Sequence, residues 1–147
     1  MSQYLSFKLV NKTNPDFKID LGYWCTSIAR GISYNFNNIF QYTESNIKLD
    51  INDLKSYINI LHNGINEYRE NLNTSQNLKK QNIELFLRAD SQYAADAIKN
   101  EIKDIDASIA DWEEEIDTWE MVENKLNFIL DILEENKEEW ELWYKNS

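Results

Sequence analysis

The stretch INDLKSYINILHNGINEYRENL, residues 51–72, carries the plainest structural signal in the chain. Its large apolar residues Ile51, Leu54, Ile58, Leu61, Ile65, Tyr68 and Leu72 follow one another in alternating steps of three and four. That repeat draws a single apolar stripe along a helix, with Ile51 at an a position of a coiled-coil heptad and Leu54 at d. Asp50 can cap the helix start, and Asp53 sits where the positive end of the helix dipole favours a carboxylate. A lone stripe of this kind needs a second helix to cover it.

The cover lies downstream. From Ser91, an N-cap residue type, the pattern resumes as Ile98, Ile102, Ile105, Ile109, Trp112, Ile116 and Trp119, and no proline or glycine interrupts residues 91–147. Continuing the same heptad would bury Glu123 and Lys137, which is costly for charged groups. Reading Trp119, Val122, Leu126, Ile129, Leu133, Trp140 and Trp143 instead keeps the face apolar. Two successive steps of three, at Ile116–Trp119–Val122, then rotate the stripe. The expectation is one helix over 91–147, antiparallel to residues 50–72, with a break at Asn73-Thr74-Ser75 and a turn within 73–91. Residues 98–119 are expected to lie on 50–72, and the C-terminal part to fold back on the N-terminal segment. In this arrangement the e positions Lys55, His62 and Arg69 face Asp106, Glu113 and Glu120.

Upstream, Leu5, Phe7 and Leu9 alternate with polar residues, as do Phe17, Ile19 and Leu21, on either side of Asn11-Lys12-Thr13-Asn14-Pro15-Asp16. Period-two spacing around a turn cluster predicts a β-hairpin. Cys25, Ile28, Ile32, Phe36 and Ile39 at helical spacing predict a helix that covers it, capped by Thr26 or Ser27, with a short strand near Ile47 and Leu49. The fold class expected is α+β, mostly α. Residues 1–49 form a hairpin-and-helix unit and 50–147 an antiparallel coiled-coil hairpin, together one cooperative domain.

Composition narrows the function. The chain has 147 residues, 26 acidic and 15 basic, for a net charge of −11. Residues 1–49 carry +2, residues 50–90 carry −1 and residues 91–147 carry −12. Between Lys103 and Lys125 there are nine carboxylates and no basic residue. Direct binding to a nucleic-acid backbone or an anionic membrane is therefore not expected. One cysteine leaves no internal disulfide and fits a reducing compartment. The first residues lack a signal-peptide pattern and no apolar run is long enough for a membrane span, so the expected location is the cytoplasm.

Catalytic and metal patterns are weak. Cys25 and the single histidine, His62, lie 37 positions apart with no orienting group in evidence. There is no HExxH, no Glu-x-x-His pair and no calcium-loop pattern. Carboxylates such as Glu113 and Glu115 point different ways on a helix and remain solvated. No catalytic residue, metal or cofactor is expected.

What remains is protein binding. The acidic face, represented by Asp104, Asp111, Glu113, Glu114, Glu115, Asp117 and Glu120, can dock on a basic surface of a larger, nucleic-acid-handling protein. Trp24, Trp140 and Trp143 are aromatic anchor candidates, with Tyr23 and Arg30 beside Trp24. In composition the chain resembles small acidic inhibitors that phages make against nucleases or defence complexes. Its abundance of Asn, Ile and Lys suits an AT-rich genome. That resemblance implies an inhibitor or regulator working in the host cytoplasm. The alternative is a coiled-coil scaffold or homo-oligomer held through apolar seam residues such as Trp119 and Leu126.

Overall fold

The computed structural model describes residues 4–25 and 45–146. Strand β1 (Tyr4–Asn11) and strand β2 (Lys18–Cys25) form the hairpin that their alternating residues predict. Asn11 organises its turn, the Oδ1 accepting hydrogen bonds from the backbone N–H of Thr13 and Asn14, each at 3.0 Å, and from Thr13 Oγ1 at 2.7 Å. Opposite Phe7 the β2 strand bulges at Leu21-Gly22. Gly22 takes φ 95°, a left-handed conformation that suits glycine, and its N–H donates to Asp20 Oδ1 at 2.9 Å.

Strand β3 (Ile47–Leu49) leads into helix α1 (Ile51–Leu87). Asp50 caps this helix as expected, accepting from Asn52 N at 3.2 Å. Helix α2 (Gln92–Asn136) starts at Ser91, whose Oγ accepts from Ala94 N at 3.1 Å. Strand β4 (Trp140–Asn146) completes a fully antiparallel sheet in the order β2-β1-β4-β3. The α+β, mainly helical class expected from the sequence is the one observed, with the two helices packed as a hairpin.

Four expectations need correction. Asn73-Thr74-Ser75 does not break α1; Thr74 Oγ1 donates to the Glu70 carbonyl within the helix, and the turn comes at 88–91. The last helix stops at Asn136, and Trp140 and Trp143 lie on a strand. Its register with β1 pairs Leu9 with Leu142, Phe7 with Tyr144 and Leu5 with Asn146. A strand satisfies its backbone there on both sides, and it buries alternate residues where a helix would have buried every third or fourth. Cys25 ends β2, paired with Tyr4, and does not start a helix. The rest of the helix expected over 26–39, with Arg30, lies outside the described residues.

The fourth correction is register. Lys55 bridges Glu134 at 3.0 Å, His62 meets Glu123 at 3.1 Å, Arg69 meets Glu120, and Lys79 bridges Asp106 at 2.6 Å. Between the two rows of e positions expected to oppose each other, only Arg69 and Glu120 meet, and they do so out of the expected order. The turn at 88–91 fixes this offset, so the start of α1 faces the end of α2. Residues 51–64 therefore share a unit with the end of α2, where packing on 98–119 was expected.

By contacts the chain divides into two compact units, one of Met1–Gly64 with Met121–Ser147 and one of Ile65–Glu120. In the first, Leu5, Phe7 and Leu9 of β1, Leu49 of β3 and Leu142 of β4 are buried, as are Leu54 and Leu61 of α1 and Val122, Leu126, Ile129 and Leu133 of α2. Those last four are the residues that the rotated stripe selected, while the alternative Glu123 stays half-exposed. In the second, Ile65, Ile105, Ile116 and Trp119 are buried and Tyr68 packs edge-on against Trp112 at 4.9 Å.

Candidate functional site

Which acidic side chains of α2 remain open to a partner depends on what α1 takes up. Asp106 and Glu120 are held by Lys79 and Arg69 in the Ile65–Glu120 unit, and Glu123 is held by His62 in the other. Glu115 is half-buried. Asp104, Asp111, Glu113, Glu114 and Asp117 are exposed, and among the described residues none of them makes an ion pair. At 3.6 residues per turn, Asp104, Asp111, Glu114 and Asp117 fall on the side of α2 away from Ile105, Ile109, Trp112 and Ile116. Glu113 and Glu120 flank the seam instead. The seven acidic candidates thus separate into an outward row of four, with Glu113 beside it, and two residues, Glu115 and Glu120, that the fold engages.

The aromatic candidates belong to the sheet. Trp140 and Trp143 are an odd number of positions apart on β4, so their side chains take opposite faces and form no joint anchor. Trp140 is half-buried against Phe17, with ring centroids 5.2 Å apart. Trp143 pairs with Lys8 of β1 and Lys48 of β3, and its Nε1 donates to Glu141 Oε2 at 3.2 Å. Lys48 Nζ lies 3.2 Å from Glu141 Oε1. Trp24 pairs with Leu5 on the opposite side of β1 from β4.

The Lys48 hydrogen bond leads in holding the Glu141 carboxyl below the usual glutamate range. Burial opposes it, while Trp143 and the charges of Lys48 and Lys12 reinforce it. Burial pushes the Tyr144 hydroxyl up, with Tyr57 and Asp53 adding to the effect. Tyr57 is raised for the same leading reason, with Asp53 again contributing.

A cleft of about 470 Å³ opens between the β1–β2 turn, β3, the start of α1 and the end of α2. Lys12, Lys48 and Lys137 line it alongside Asp50, Asp53 and Glu141, so its charges balance. Lys12 Nζ is already spent on the Lys137 carbonyl at 2.7 Å. This cleft gathers no set of groups with a shared chemical task. Among the described residues no cluster of His, Cys, Asp or Glu could hold a metal ion, and no helix is long and apolar enough to cross a membrane.

Residues 76–89, whose Leu78, Ile83, Leu85 and Phe86 keep the helical period poorly, are a further feature of α1. Following the α1 heptad beyond Leu72 puts Ser75, Lys79 and Asn82 on the seam. Asn82 is buried there, its Nδ2 donating to the Leu78 carbonyl at 2.9 Å. The apolar residues Leu78, Ile83, Leu85 and Leu87 are displaced to either side and exposed. The loss of period in 76–89 was the available signal.

Compared with known proteins, the chain matches no family model, no curated protein and no solved structure.

Proposed function

We propose that this chain is a non-catalytic protein-binding module, an acidic inhibitor or regulator. It docks the outer face of α2 on a basic surface of a larger, nucleic-acid-handling protein. The observation that supports the reading is the outward row Asp104, Asp111, Glu114 and Asp117, exposed and without ion pairs among the described residues. A charge run that only solvated a helix would tolerate local basic partners. Here the two lysines near the run, Lys103 and Lys125, bracket it from outside.

Charge density bears on the partner. Asp104 to Asp117 spans about 20 Å at 1.5 Å per residue. With Glu113 the segment offers one exposed carboxylate per roughly 4 Å, against one phosphate per 3.4 Å along a DNA strand. A groove built for a nucleic-acid backbone would meet a similar density of negative charge. Docking would relieve the repulsion within the row.

The test compares immobilised wild-type protein with Asp104→Asn/Asp111→Asn/Glu114→Gln/Asp117→Asn in capture from host lysate. A basic partner should be retained by the wild type at low salt, released as salt rises, and missed by the variant. Capture that is indifferent to salt, or equal for both proteins, defeats the reading.

A further inference from the structure

We infer that the outer face of the sheet, centred on Trp143, binds short single-stranded nucleic acid. A base stacks on the indole, and phosphates meet the lysines around it. The pairing registers assemble this face. Lys8 on β1, Trp143 on β4 and Lys48 on β3 stand side by side in one row across three strands. Lys145 follows two positions along β4, and Lys18 stands on β2 opposite Val10. Alternation separates this series from the core: Leu5, Phe7, Leu9 and Leu142 are buried, whereas Lys8, Trp143 and Lys145 are half-buried and Lys18 is exposed.

The charge of this face is opposite to that of the chain. Lys8, Lys18, Lys48 and Lys145 stand against Asp20 and Glu141, a net of +2 in a protein of −11. Both carboxylates are engaged: Glu141 meets Lys48 through Oε1 and Trp143 through Oε2, and Asp20 Oδ1 accepts from the Gly22 N–H. Lys8, Lys18 and Lys145 make no ion pair among the described residues. Three cations therefore remain for a polyanion. Same-face neighbours on a strand lie about 7 Å apart and adjacent strands about 5 Å, so Lys8 and Lys145 reach phosphates beside a base seated on Trp143.

The indole selects a nucleic acid over an acidic protein segment. Trp143 Nε1 donates to Glu141, two positions back on the same strand, which draws the ring along β4 and pins its polar edge. An anchor that fills a pocket on a protein partner projects outward. A ring held along the strand offers its flat face instead, and every base has a π-face to stack on it. The chain's net charge opposes a duplex, which needs a long basic footprint. A strand of a few nucleotides needs only this patch, since at physiological salt charges beyond about 8 Å are largely screened. The acidic row of α2 takes no part in this contact.

Fluorescence anisotropy of labelled oligo(U) and oligo(dT) of about eight residues, titrated with the full chain over a salt series, tests this. Both sugars should bind alike, because the contacts use base faces and phosphates. Trp143→Leu should weaken binding roughly 5- to 150-fold, the loss of one stacked base. Lys8→Gln/Lys145→Gln leaves the indole in place and should flatten the salt slope by about 1.4, at about 0.7 per lost phosphate contact. Should Trp143→Leu disturb folding, the lysine pair alone decides. Neutralising the acidic row should leave oligonucleotide binding intact, so this contact and the docking of α2 fail separately. No binding at low salt overturns the proposal. So does an affinity and salt slope that these variants leave unchanged, tighter binding of a duplex of equal length, or displacement by oligoglutamate as effective as by unlabelled strand.

Discussion

Neutralising the outward carboxylate row should make the protein more stable while it loses its partner. In Asp104→Asn/Asp111→Asn/Glu114→Gln/Asp117→Asn the removed charges have like-signed neighbours one turn away: Glu101 for Asp104, Glu115 for Asp111, Glu113 and Glu120 for Asp117, and one another in Asp111–Glu114–Asp117. Like charges at these spacings each destabilise a helix by about 0.2–0.5 kcal/mol. No oppositely charged residue stands three or four positions from any of the four sites, and none of the four makes an ion pair among the described residues. Asn and Gln differ little from Asp and Glu in helix propensity. The net gain is about 1–3 kcal/mol at low salt. At roughly 2–4 °C per kcal/mol for a chain of this size, thermal denaturation followed by circular dichroism should show an upward shift of about 2–12 °C. The gap should close in 1 M salt, where the Debye length falls to about 3 Å. A lower melting temperature for the variant at low salt would mean that these carboxylates hold partners within the fold. They could not then be a surface kept for contact at the expense of stability.

Three further outcomes follow from the geometry. Gly22→Ala should cost about 1–2 kcal/mol from backbone strain alone, because a Cβ at φ 95° meets nothing within 4 Å; an unchanged melting temperature would show that the bulge relaxes. Glu141→Gln should lower stability at neutral pH. Because the folded carboxyl is held below its usual range, its contribution is present above the unfolded glutamate value of about 4.3 and lost as pH falls further, so the two melting curves should converge in acid; a constant gap argues against the Lys48 contact. Leu126→Ala should cost about 2–5 kcal/mol and Phe128→Ala less than about 0.5, since the first is fully buried and the second 61% exposed; equal losses would contradict the rotated stripe.

That rotation was readable because burying Glu123 and Lys137 costs more than breaking a heptad. The hairpin at 4–25 and the cap at Asp50 were readable for equally local reasons: alternation, an asparagine turn, a carboxylate before a helix. Strand β4 was not. Trp140 and Trp143 stand three apart, as on a helix, and no proline or glycine precedes them. The competing signal, Trp140, Leu142 and Tyr144 alternating with Glu141, Trp143 and Lys145, gains its weight only from β1 and β3 on either side. Those strands lie more than ninety residues upstream in sequence, so no local window contains the deciding partner.

The same distinction governs the candidate site. Its acidic run was plain from composition, yet membership of the outward row depended on where α1 turns. A break at 73–75 would have brought Arg69 and Lys55 against different carboxylates than the turn at 88–91 does. Because α1 runs on, Lys79 reaches Asp106 and Arg69 reaches Glu120, and His62 takes Glu123. The polar seam at Ser75, Lys79 and Asn82 is thus the residue-level cause of two features at once. It engages part of the acidic run, which defines the remainder as an outer row. It also leaves Leu85 and Leu87 exposed, on different sides of α1.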